Sequence, residues 1–137
     1  MSDRVFLDTN ILIYLYADDA PTKRALAEQV LNHNQTALST QVLNEFSSVM
    51  LKKSKLTIPE LRRAIEEITA DIMVAQVTET TIIKALSIVQ KYRFSYFDSL
   101  IIASALEHEC SILYTEDLHH RQLIENKLTI TNPFRNP

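Results

Sequence analysis

The chain has 137 residues, a net charge of −3, one cysteine and no glycine, and its 46% hydrophobic and 23% charged residues are typical of a single globular domain. Without glycine it cannot build a P-loop, a GxGxxG dinucleotide turn or a GxSxG nucleophile elbow. One cysteine excludes an internal disulfide and a thiolate-based zinc site. Any phosphate chemistry must therefore depend on other groups, and carboxylates that hold a metal are the first candidates.

The sequence shows no targeting or membrane signal. No charged segment followed by a long apolar run stands at the start, and the longest apolar segment, 100–106, is far shorter than the ~20 residues that cross a bilayer. Repeats and linkers are also absent from the sequence. We therefore expect one cytoplasmic domain over residues 1–137, with no membrane association.

Short apolar runs alternate with helical segments along the chain. The pattern predicts strands at 5–7, 36–39, 72–77, 111–114 and 128–130, and helices at 11–17, 21–31, 40–53, from Thr57 onward, 78–92, 95–109 and, as a short helix, after Asp117. The strands are apolar, do not alternate and are separated by helices. They therefore predict an α/β fold with a parallel sheet that is covered on both faces.

Acidic residues follow two of the predicted strands. Asp8 comes directly after the first strand, and Glu116 and Asp117 come directly after the fourth. Ligands of open parallel sheets bind beyond the carboxyl ends of the strands, so these acids share one rim if the two strands are neighbours. Taken alone, Asp8 and Asp117 are each better explained as helix N-caps, since Asp is a preferred residue at that position. Both interpretations stay open on this evidence.

The helix predicted at 40–53 carries a further acid, Glu45. Glu45 lies at the margin of the apolar stripe, whereas Gln41, Asn44 and Ser48 lie nearer the opposite face. Glu45 is therefore predicted to point along the edge of the core, although an ordinary boundary residue fits the same position.

Asp98 lies in a helix that is apolar almost all round, on a face shared with Ile102 and Ala105. Its carboxylate either completes a capping box with Ser95 or must be paired, protonated or bound to a cation, because an isolated buried charge is too costly.

Four segments in chain order resemble the motifs of the PIN domain family. They are VFLDTNIL at 5–12, STQVLNEF at 39–46, FDSLIIASA at 97–105 and LYTEDL at 113–118. Together they span nearly the whole chain, which is similar to the PIN-domain ribonucleases and in particular to the VapC-like toxins of type II toxin–antitoxin systems.

The resemblance implies a three-layer fold whose five parallel strands run in the order 3-2-1-4-5 between helices. It implies cleavage of RNA with Mg²⁺ or Mn²⁺, and a cognate antitoxin as protein partner. It places Asp8, Glu45, Asp98 and Asp117 in the metal-binding and catalytic site, with Thr9, Asn10 and Thr115 as supporting residues. Members often carry glycines after the fourth motif, where this chain has Arg121 and Asn126, so the loop beside the site is expected to differ.

Two other functions stay open. A catalytically idle PIN-like interaction module would keep the fold, although the four retained acids argue against it. A phospho-receiver domain needs an Asp after a middle strand and a Lys after a late strand, and residues 76–78 and 114–116 provide neither.

Two surface features bear on binding partners. The basic residues Lys52, Lys53, Lys55 and Arg121 could hold a nucleic-acid backbone or could simply be solvated charges. The run at 12–16 is more apolar than one short helix needs, which predicts a homodimer.

Overall fold

A six-stranded sheet with helices on both faces forms the part of the chain that the computed structural model describes, residues 3–33, 35–53 and 55–135. The strands are β1 (Arg4–Leu7), β2 (Gln35–Ser39), β3 (Met73–Ala75), β4 (Ile112–Tyr114), β5 (Leu123–Ile124) and β6 (Leu128–Thr131). The helices are α1 (Thr9–Leu15), α2 (Pro21–His33), α3 (Thr40–Lys52), α4 (Ile58–Asp71), α5 (Glu79–Tyr92) and α6 (Tyr96–Glu107). None of the described helices is long and apolar enough to cross a bilayer.

The sheet order is β3-β2-β1-β4-β6-β5. All neighbouring strands are parallel except β5, which pairs antiparallel with β6. Since β6 is the fifth predicted strand, the predicted order 3-2-1-4-5 and the fold class are confirmed, with one short strand added at the edge.

The short helix predicted after Asp117 is wrong. Turns follow Asp117, and β5 then begins at Leu123. The backbone of this segment bonds to β6 instead: Arg121 N donates to Ile130 O, and Ile130 N donates to Gln122 O. A pairing with a later strand therefore takes the hydrogen bonds that a local helix would have used.

The strand β1 is buried on both faces, which fixes where the chain leaves the sheet. Phe6 packs into the larger core cluster on one face, and Val5 and Leu7 pack with Ile11 and Val30 on the other. All five side chains are at most 7% exposed. Asp8 follows directly at the carboxyl end of this buried strand.

The apolar run at 12–16 is largely accounted for within the chain. Leu12 is fully buried, Ile13 and Tyr16 pack against the larger cluster, and Tyr14 packs against the smaller one. The homodimer stays a prediction, because this run has a sufficient role in the monomer.

Among the residues that the structure describes, five adopt positive φ although the chain contains no glycine. Arg121 (φ 71°) and Asn126 (φ 56°) are among them, the two residues at which the loop beside the site is expected to differ. The left-handed region costs a residue with a Cβ roughly 1–2 kcal/mol. The loop after the fourth motif thus adopts a backbone that glycine would take up more easily, with Arg121 and Asn126 at these positions.

Candidate active site

The four predicted acids lie at or next to the carboxyl ends of the central strands. Asp8 follows β1, Asp117 lies three residues after β4, Glu45 lies in the second turn of α3 just after β2, and Asp98 lies in the first turn of α6. Because β1 pairs in parallel with both β2 and β4, these strand ends share one rim of the sheet.

Asp8 is held by two short hydrogen bonds and is only 5% exposed. Its Oδ1 accepts from the backbone N of Thr9 at 2.7 Å, and its Oδ2 accepts from Thr115 Oγ1 at 2.7 Å. The same Thr115 hydroxyl accepts from Asp117 N at 3.2 Å, and Asn10 Nδ2 donates to Asp117 Oδ2 at 3.0 Å. Asp8 therefore caps α1 and also joins a network across the rim, in which Asn10 and Thr115 link the two acids.

Glu45 is linked to α6 by a residue that the sequence analysis placed on the solvated face. Gln41 is 8% exposed, and its Nε2 donates to Glu45 Oε1 at 3.1 Å and to the carbonyl oxygen of Phe97 at 3.0 Å. The predicted position of Gln41 was wrong because the first turn of α6 covers that side of α3. A local signal existed, since Gln41 stands four residues before Glu45 and such residues are neighbours on a helix surface.

Asp98 shows only half of the predicted capping box. Ser95 Oγ accepts from Asp98 N at 3.2 Å, so Ser95 caps α6. The Asp98 carboxylate accepts no hydrogen bond from any described residue, although Ile102 and Ala105 on the same helix face are fully buried. Its half-buried charge is thus available to a ligand.

The acids influence one another electrostatically. The pKa of Asp8 is raised from 3.8 to about 6, mainly by burial; the hydrogen bonds from Thr115 and Thr9 act to lower it, and the negative charges of Asp117 and Asp98 add to the rise. Burial also raises the pKa of Glu45, with the charge of Asp98 adding to the effect. Like charges so arranged are stable only when protons or cations neutralise them.

The surroundings of these acids fit a hydrated Mg²⁺ or Mn²⁺ ion. The donors are all oxygen atoms, as such ions prefer. Buried polar atoms without a partner lie in residues that contact or adjoin the acids, namely Asn10 Oδ1, Gln41 Oε1 and Ser99 Oγ. Among the described residues, no three His, Cys, Asp or Glu side chains form a ready metal cage.

Glu116, the other acid after β4, does not share this environment. Its carboxylate accepts from Tyr14 Oη at 2.7 Å and pairs with Lys23 Nζ at 2.5 Å. Lys23 also lies 4.7 Å from the centre of the Tyr14 ring. These contacts lower the pKa of Glu116 against the effect of its burial, so its charge is already satisfied.

The basic residues near the end of α3 lie away from the acids. At about 1.5 Å per residue, Lys52 stands about 10 Å further along α3 than Glu45. Lys52, Lys53 and Lys55 are exposed, and Lys55 lies 3.9 Å from Asp19. Arg121 is exposed too, with its Nε 3.3 Å from His120 Nε2. The solvated interpretation is the better one for the three lysines.

Several solved structures are similar to this chain. A toxin–antitoxin complex from Klebsiella pneumoniae matches with a TM-score of 0.73 and 22% identity over 96% of this chain and 99% of that one. VapC20 from Mycobacterium tuberculosis, described as a sarcin–ricin loop cleaving toxin, matches with a TM-score of 0.68 and 15% identity. The match covers 82% of this chain and 91% of that one. VapBC2 from Rickettsia felis, bound to promoter DNA, matches with a TM-score of 0.65 and 17% identity. The match covers 94% of this chain and 99% of that one.

At these identities the likeness concerns the fold, and no curated protein matches the sequence. The model of the PIN domain family, however, matches residues 5–125. That range includes all four acids and every strand of the sheet except β6. The chain belongs to the PIN domain family.

Proposed function

We propose that the chain is a metal-dependent endoribonuclease that hydrolyses RNA phosphodiesters at Asp8, Glu45, Asp98 and Asp117. The main support is Asp8, a buried carboxylate whose pKa of about 6 reflects both burial and the charges of Asp117 and Asp98. Burying a carboxylate beside other acids is costly even with the two hydrogen bonds that Asp8 accepts, so stability alone does not explain its position. Neutralisation by a divalent cation turns the same arrangement into a site for phosphate chemistry.

In this proposal Asp8 and Asp98 bind the ion directly, and Glu45 and Asp117 act directly or through water. Thr115 and Asn10 hold the Asp8 and Asp117 carboxylates in place by the hydrogen bonds described above. A bound Mg²⁺ or Mn²⁺ supplies a more acidic water and shields the charge that develops on phosphorus. No side chain is assigned as a covalent nucleophile, so we expect direct hydrolysis.

We further propose that the protein is the toxin of a toxin–antitoxin pair and works in the cytoplasm. The support is the similarity to one structure described as a toxin–antitoxin complex and to another described as a cleaving toxin. Its partner would be a cognate antitoxin, and a homodimer is expected as well. Light scattering at micromolar concentration checks the dimer, and a mass near that of one chain contradicts it.

The catalytically idle interaction module is the competing proposal. It shares the fold but assigns no chemistry to the acids. Membership of the PIN domain family removes the reason to consider a phospho-receiver domain.

A cleavage assay separates the nuclease from the idle module. We expect single-stranded or structured RNA to be cut in Mg²⁺ or Mn²⁺, and cleavage to stop when EDTA is added. Full activity in chelator, or activity with zinc alone, contradicts an all-oxygen site. No cleavage of any RNA in either ion favours the idle module. Co-expression with the product of the neighbouring reading frame tests the pairing, since a cognate antitoxin should suppress the activity.

A further inference from the structure

Phe97 is unusual among the aromatic residues of the protein. It is 64% exposed, and it is the one aromatic among the exposed large hydrophobic side chains of the described residues. On the same helix, every residue from 99 to 106 is buried. The exposed ring is thus a local departure from a helix that otherwise packs its whole surface.

The position of this ring ties it to the acids. Phe97 directly precedes Asp98, and its carbonyl oxygen accepts the 3.0 Å bond from Gln41, which also holds Glu45. Successive residues on a helix differ by about 100° in direction, so the Phe97 ring leaves the helix next to Asp98 in sequence but in a different direction and does not cover the Asp98 carboxylate. The backbone of Phe97 is therefore connected to Glu45 through Gln41 and to Asp98 through the chain itself.

The neighbouring Tyr96 braces the ring. The two rings meet edge to face, with centroids 5.3 Å apart and planes at 66°. Tyr96 in turn packs against the small cluster of Ala85, Leu100 and Ala103. An exposed ring that is supported on one side and fixed at its backbone loses little conformational freedom when a flat ligand stacks on it.

We propose that Phe97 is a stacking platform for an unpaired base of the RNA, next to the phosphate that the acids process. This inference rests on the proposed function and adds a base-binding element to it. A phenyl ring offers no charge to a phosphate but offers a π face to every base, so the platform favours single-stranded RNA without selecting a sequence. Double-stranded RNA, whose bases are already stacked, would gain nothing from it.

A tryptophan fluorescence titration tests the stacking directly, since the natural chain contains no tryptophan. The Phe97→Trp variant is titrated in EDTA with a short mixed-sequence oligoribonucleotide, and then with the same sugar–phosphate chain without bases. The matched control is Ile58→Trp, because Ile58 is 63% exposed and lies at the start of α4, outside the elements that carry the acids. We expect quenching only for the Phe97 variant, and only with the base-containing RNA.

Cleavage kinetics give the second readout. Loss of a base–aromatic stack by alanine substitution weakens binding by about 5- to 150-fold. Phe97→Ala should therefore raise KM within that range with a smaller change in kcat, while Ile58→Ala leaves both unchanged.

Three results would overturn the platform. They are equal quenching by the two oligonucleotides, an unchanged KM in Phe97→Ala, and a changed oligomeric mass in Phe97→Ala with unchanged RNA binding, which would make the ring a protein contact. The titration needs no cleavage, so a wild-type protein that fails to hydrolyse RNA counts against the proposed function and leaves the stacking test intact.

Discussion

Two acids that follow β4 side by side have opposite surroundings. Glu116 is paired with Lys23 and accepts a bond from Tyr14, so its charge is compensated by the fold. Asp117 accepts one bond from Asn10 and lies near Asp8, another acid, whose pKa it raises. The fold compensates the charge of Glu116, whereas the charge of Asp117 is compensated less, and our proposal assigns Asp117 to the metal site. Substitution of Glu116 should therefore affect mainly stability, whereas substitution of the proposed site acids should affect mainly cleavage.

The largest expected effect is the loss of cleavage in Asp98→Asn. Removal of a metal-binding carboxylate forfeits several kcal/mol of transition-state stabilisation, which corresponds to a fall of about 100-fold or more in rate. In EDTA the variant should be as stable as the wild type or more stable, because one like charge is gone, a relief on the order of 1 kcal/mol. Thermal unfolding in EDTA and in Mg²⁺ measures both states, and the wild type should gain more from Mg²⁺.

The matched control for Asp98→Asn is Glu79→Gln, which removes an acid from the first turn of α5. It should lose a little stability through the helix dipole and keep full activity. If Asp98→Asn instead behaves like this control, Asp98 serves the helix and not the site.

A second prediction concerns the pH dependence of stability without metal. The pKa of Asp8 rises from 3.8 to about 6 on folding, so the folded protein binds this proton more tightly than the unfolded chain does. The stabilisation from this proton is fully present below about pH 3.8 and is lost as the pH rises through about 6. The free energy of unfolding should fall by up to roughly 3 kcal/mol over that range.

Denaturant unfolding in EDTA at about pH 5 and about pH 7.5 should reveal the part of this loss that lies above pH 5, about 1.4 kcal/mol. Asp8→Asn should flatten the dependence over the same interval. A wild-type protein that becomes more stable between these two pH values would contradict the raised pKa of Asp8.

The third prediction addresses Gln41 as a positioning residue. Gln41→Met keeps the length of the side chain but removes the amide that joins Glu45 to the Phe97 carbonyl. Loss of such a supporting bond typically costs 10- to 100-fold, so we expect activity to fall by about that factor. The Mg²⁺ concentration for half-maximal activity should rise with it. Asn44→Ala, at an exposed position on the same helix, should change neither quantity.

The smallest expected effect is that of Glu116→Gln. The side chains of Lys23 and Glu116 are 41% and 27% exposed, so loss of the pair should cost only about 0.2–1 kcal/mol of stability. Cleavage should stay within a few-fold of the wild type. A loss of activity as large as that of Asp98→Asn would move Glu116 into the site.

How far the sequence predicts the structure depends on how local each contact is. The turn at Asp8 combines a strand end, a helix cap and an acid within a few residues, and Thr57 with Glu60 forms the expected capping box at 2.8 and 3.3 Å. Gln41 was misplaced because its second partner, the Phe97 carbonyl, lies 56 residues further along the chain.

The fourth motif shows the same limit. The sequence around Asp117 favours a helix start, but the backbone of 121–122 pairs with Ile130, and β5 then extends that pairing. The choice between helix and strand after Asp117 depends on pairing with β6, so no short window of residues could predict it. The supporting roles of Asn10 and Thr115 came from the family resemblance, and the structure gives them specific hydrogen bonds.

The two outermost strands of the sheet have a consequence for the solubility of the isolated chain. β3 has three residues and β5 has two, whereas β2 and β6 directly inside them have five and four. Long exposed edges invite strands of other molecules and seed aggregation, and very short edge strands are one way in which proteins prevent this. The unpaired backbone at either border is too brief to act as a template. The chain should therefore resist fibrillar self-association even when it is produced without any partner protein.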